Sequence, residues 1–125
     1  MTMQTPTVEK RPLIALVCRV ELLGEALRGA LEEVGDVRVF RAGLGDTEGL
    51  LRSLAPDAVV VDDEAEAEAA LPFLAQSEAV LVQVSVRDGR LTVDGQRLEG
   101  ADGEISPESV RNALVGRLMG KPSRV

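Results

Sequence analysis

The sequence predicts a single α/β domain, a three-layer α/β/α sandwich around a mostly parallel sheet. Short continuous apolar runs recur along the chain, as in LIALV (13–17) and AVVV (58–61). Stretches with apolar residues at three-to-four spacing lie between them, and two Asp-Gly turns, RDGR and VDGQ, follow the last long run. Strands buried on both faces read as unbroken apolar runs, and parallel strands need a crossover, usually a helix. The expected boundaries are a flexible arm over 1–12, one domain over 13–120 and a tail over 121–125.

LIALV is the first strand. In ELLGEALRGALEEVG, Leu22, Leu23, Ala26, Leu27, Ala30, Leu31 and Val34 recur at helical spacing, and Gly35 is placed to cap the C-terminus. VRVF (37–40) is a second short strand. After the loop AGLGDTEG, with Asp46 or Thr47 as cap, EGLLRSL forms a helix that ends before Pro56. Ala58 to Val61 is the third strand, apolar and β-branched.

EAEAEAALPFLAQ reads as a third helix, which Pro72 starts, kinks or divides. Its glutamates are expected on a solvated face. AVLVQVSV (79–86) is a fourth strand. The Asp-Gly pairs then predict an antiparallel ribbon, because glycine accepts the positive φ of tight reversed turns. SPESVRNALVGRLMG closes the domain as a helix, with Ser106 as cap and Pro107 at its first position.

Composition narrows the function. A net charge of −7 disfavours a broad nucleic-acid surface, which needs clustered Lys and Arg, and the two aromatic residues offer little for bases to stack on. The absence of histidine disfavours zinc or haem, and the lone Cys18 cannot form an internal disulfide. No apolar run reaches the roughly 20 residues of a membrane-spanning helix, and the polar N-terminal stretch does not read as a signal peptide. A cytoplasmic protein that binds neither nucleic acid nor membrane is therefore expected. No dinucleotide site is expected either, since Gly43, Gly45 and Gly49 lack the strand-linked G-x-G-x-x-G form.

From Ile14 to Gly35, and on through VFRAGLGDTEGLLRSLAPDAVVVDD, the chain resembles the receiver domain of two-component response regulators. The likeness covers roughly residues 13 to 86 and resumes weakly at ISPESVRNAL; PDAVVVD is its most specific piece. It implies a flavodoxin-like sheet of order 2-1-3-4, with the ribbon in place of the family's fourth helix and fifth strand. It also places Asp62 at the phosphoacceptor position.

The family's two metal-holding acids at the end of the first strand correspond to Cys18 and Arg19. Its Ser or Thr after the fourth strand corresponds to Ser85, and its lysine before a proline to Ser106. Magnesium requires hard oxygen ligands, and a fixed cation at Arg19 opposes it. The resemblance therefore implies a degenerate receiver, neither an enzyme nor efficiently phosphorylated, with no cofactor or metal, that works by binding an unidentified protein or as a homodimer.

Two other readings stand beside it. One is an atypical receiver that accepts phosphate on Asp62 with Asp63 or Glu64 assisting a metal. The other is a small-molecule site in the crevice at the carboxyl ends of the strands, where open α/β sheets bind ligands. Within the pocket, Arg19 is expected either to pair with Asp62 or to face water. Cys18 is expected as a small core residue rather than a reactive thiol. The ribbon and the last helix are the expected partner surfaces, through strand-edge pairing.

Overall fold

The computed structural model describes residues 11–43, 45–85, 90–93, 96–97 and 106–120. In chain order these form β1 (Leu13–Cys18), α1 (Glu21–Leu31), β2 (Asp36–Arg41), α2 (Thr47–Leu54), β3 (Ala58–Val61), α3 (Glu64–Ala75), β4 (Val80–Ser85), β5 (Arg90–Val93), β6 (Gln96–Arg97) and α4 (Pro107–Gly120). One sheet holds all six strands in the order β2-β1-β3-β4-β5-β6. The first four are parallel, and β5 and β6 are added antiparallel. The two Asp-Gly pairs between these strands lie outside the described residues.

Alternation along the strands divides the core in two. Ile14, Leu16, Ala58, Val60, Val80, Val82, Val84, Leu91 and Val93 face α1 and α4, meeting Leu27, Leu31, Val110 and Leu114. Ala15, Val17, Val59, Val61 and Leu81 face α2 and α3, meeting Leu51, Ala67, Ala70 and Phe73. Helices thus pack on both faces of the sheet. Each buried Val, Leu or Ile contributes about 1.5–3 kcal/mol relative to exposure, so these clusters are the main stabilising element of the fold. No described helix is long and apolar enough to cross a membrane.

Several local details depart from the sequence reading. Arg11 and Pro12 belong to the fold rather than to an arm: Arg11 donates to the carbonyls of Glu32 and Gly35, and the Pro12 carbonyl accepts the Asp36 N–H at 2.8 Å. α1 ends at Leu31, before Gly35, and that glycine serves a close approach instead of a cap. A Cβ at Gly35 would stand 2.2 Å from the Pro12 carbonyl oxygen. α3 runs unbroken through Pro72, which is exposed.

Other expectations hold. Asp46 caps α2 by accepting the Gly49 N–H, and the helix leaves through Ala55 in the left-handed region, immediately before Pro56. Ser106 caps α4: its hydroxyl accepts the Ser109 N–H, and the Ser109 hydroxyl accepts the Ser106 N–H, a reciprocal arrangement that satisfies two donors at the helix start.

Candidate functional site

Cys18, Arg19, Asp62 and Asp63 come together at the carboxyl ends of β1 and β3. Strand pairing fixes this meeting, because the parallel register sets Val17 beside Val61 and brings the next residues of both strands out at the same edge. Asp62 directs its carboxylate at backbone. Its Oδ1 accepts the Arg19 N–H at 2.7 Å and its Oδ2 accepts the Val20 N–H at 3.1 Å. Val20 is the N-cap of α1 and supplies no side-chain cap of its own. A carboxylate from another strand therefore holds the chain where it enters the helix, at the end whose dipole favours negative charge.

The Arg19 side chain does not pair with Asp62 and is largely exposed, as the second expectation has it. Its Nη2 pairs with Asp63 Oδ2 at 3.3 Å, so its ionic partner is Asp63 while Asp62 bonds its backbone. Asp63 is the N-cap of α3, and its side chain makes no capping bond. The arginine is 65% exposed, which makes the pair a weak contributor to stability. Together the two aspartates hold the β1–α1 connection as a clasp, one through backbone and one through the Arg19 side chain.

Cys18 is buried in the cluster under α1, with Gly24 of that helix close against it. Burial, and secondarily the negative charge of Asp62, push its thiol up to about 12. At neutral pH it is a protonated apolar side chain, as the core reading expects. Ser85 closes β4 opposite Arg90 of β5. Ser106 is engaged at the α4 cap.

One functional-looking carboxylate escaped the sequence reading. Glu66 is buried, although the EAEAEA pattern suggests a solvated face. It accepts the Gly43 N–H at 2.6 Å and the Thr47 hydroxyl, and so ties α3 to the loop before α2. Gly43 has a φ of +87, a conformation in which glycine carries no Cβ penalty. The signal was present in the spacing: residue 66 lies on the same stripe as Ala70 and Phe73, four and seven positions on.

A cleft of about 430 Å³ opens beside the clasp, between α1 and the ends of β1 and β2. Arg19, Gly24, Arg28, Val39, Phe40 and Arg41 help to line it. Its arginines already have acidic partners: Asp63 for Arg19, Glu32 for Arg28 and Glu21 for Arg41.

The donor set does not fit a magnesium ion of the kind an active receiver would hold at these positions. Cys18 and Arg19 supply no oxygen from their side chains, and both Asp62 oxygens already accept N–H groups. Among the described residues no group of three or more His, Cys, Asp or Glu side chains is arranged to hold a metal. Compared with known protein families, curated proteins and solved structures, the chain matches none.

Proposed function

We propose that the chain is a receiver-like regulatory module that has lost phosphotransfer chemistry and acts by binding protein. The observation that carries this reading is the engagement of Asp62: the carboxylate that would attack a phosphodonor is bound by the N–H groups of Arg19 and Val20. Hydrogen bonds to both oxygens fix the carboxylate's orientation and lower its nucleophilicity, and the transferred group needs a metal to neutralise its charge. Here a buried neutral thiol and an arginine committed to Asp63 stand where the metal-holding acids would be.

The flavodoxin-like reading of the fold draws support from the parallel order β2-β1-β3-β4 and from helices on both faces. The fifth strand differs from a receiver's, since β5 runs antiparallel to β4. A second reading, binding of a small molecule, is favoured by the cleft beside Arg19.

Intact-mass spectrometry after incubation with acetyl phosphate and Mg²⁺ tests the main reading. It predicts an unchanged mass; stoichiometric addition of a phosphoryl group that disappears in Asp62→Asn would overturn it. Thermal stabilisation by one member of a metabolite panel, abolished by substituting Gly24 with a residue that fills the cleft, would favour the second reading.

A further inference from the structure

β2 ends the sheet with an unpaired edge among the described residues. The Asp36 and Ala42 N–H groups bond the carbonyls of Pro12 and Cys18, at 2.8 and 3.0 Å, so even-numbered positions face β1. Backbone groups of successive strand residues point to opposite sides, and Val37, Val39 and Arg41 therefore direct their N–H and C=O outward. Val39 also keeps 45% of its surface exposed, although it is a large apolar residue in a strand.

We propose that this edge pairs with β2 of a second copy of the chain, antiparallel and centred on Val39. Symmetry selects the register. A two-fold axis normal to a continuous sheet requires facing residues to share a face, so the two facing residue numbers must both be odd or both be even. Centring on Val39 sets Val39 opposite its twin and Val37 opposite Arg41, which satisfies the outward groups of all three residues. Centring on Arg38 would oppose two arginines and leave Arg41 facing Gly35, whose N–H already bonds Leu31.

In the chosen register each Arg38 lies across from a Phe40 ring, a cation–π pairing. Charge favours the same meeting. The chain is acidic overall at −7, yet β2 carries two arginines and one aspartate; with Arg11 paired to Asp36 and Glu21 paired to Arg41, this edge and its ion-pair partners carry no net negative charge. The β2 edge is thus a place where two copies approach with less repulsion than elsewhere. The inference is independent of phosphoryl chemistry, and holds whether or not Asp62 accepts phosphate.

Sedimentation velocity over a concentration series, combined with oxidative cross-linking of Val39→Cys, tests it. A reversible dimer is expected, with a disulfide cross-link forming between the thiols introduced at position 39 of the two copies. Val39→Pro removes only outward donors and should weaken the dimer by at least about tenfold. Val39→Lys, which opposes like charges at the axis and keeps every backbone donor, should also weaken it and serves if the proline variant does not fold. A monomer at every concentration would overturn the proposal. So would a dimer that neither cross-links at position 39 nor responds to Val39→Lys.

Discussion

The sheet has two unequal halves. β1 and β3 are buried on both faces, with α1 and α4 on one side and α2 and α3 on the other. β4 and β5 send Val80, Val82, Val84, Leu91 and Val93 into the first cluster, but after Leu81 their other face carries Gln83, Ser85 and Thr92. The second core cluster, under α2 and α3, reaches β4 only at Leu81 on that face. The difference follows the connections: helices join the first four strands, whereas the β4–β5 and β5–β6 pairs are antiparallel, a geometry that allows a polar face. The clasp belongs to the doubly covered strands, and the cleft opens between α1, β1 and the more exposed edge strand β2.

Substitutions can break this contrast. The largest effect is expected from Leu16→Ala in β1, which should cost about 3 kcal/mol in chemical denaturation, since the covered strand has little room to collapse around the cavity. Glu66→Ala should cost about 2 kcal/mol by leaving the Gly43 N–H and the Thr47 hydroxyl without their acceptor. Glu66→Gln, which keeps a carbonyl acceptor, should recover part of that loss.

A smaller effect is expected from pH. The Cys18 thiol has an ordinary value of 9.0 that rises to about 12 in the fold, so the folded state holds its proton more tightly than the unfolded chain. The stability this contributes is complete below pH 9.0 and is lost as pH rises towards about 12. At roughly pH 10 the loss should be about 1 kcal/mol, and Cys18→Ala should remove that slope. The chain has no tyrosine, and the slope shared by the native chain and Cys18→Ala accounts for its two lysines. Gln83→Val, on the polar face of β4, should change stability by less than about 0.5 kcal/mol. A stabilisation well beyond that would show that this face is covered after all.

The doubly covered strands were legible because burial on both faces leaves no polar positions to interrupt LIALV or AVVV. The ribbon was legible from the two Asp-Gly pairs in the sequence, and the α4 cap from Ser106-Pro107. What escaped depends on backbone and on packing in three dimensions. Asp62 bonds two amide groups that any residue would supply, so nothing in the side chains at 19 and 20 announces the clasp. The resemblance sets Arg19 against Asp62 alone, although Asp63 stands one residue further along and takes the guanidinium. Gly35 looks like a helix cap because its role, the approach of the Pro12 carbonyl, comes from a residue distant in sequence. Glu66 is hidden by its neighbours, since every second residue of EAEAEA is acidic and only one of the three falls on the buried stripe.

The central claim is that Asp62 is a structural clasp on the entrance to α1. Hydrogen exchange at the Arg19 and Val20 amides, followed by NMR in the native chain and in Asp62→Ala, tests it most directly. The clasp predicts protected amides in the native protein and at least about tenfold faster exchange at these two positions in the variant, with the β3 amides unchanged. Equal exchange rates at Arg19 and Val20 in the two proteins would contradict it.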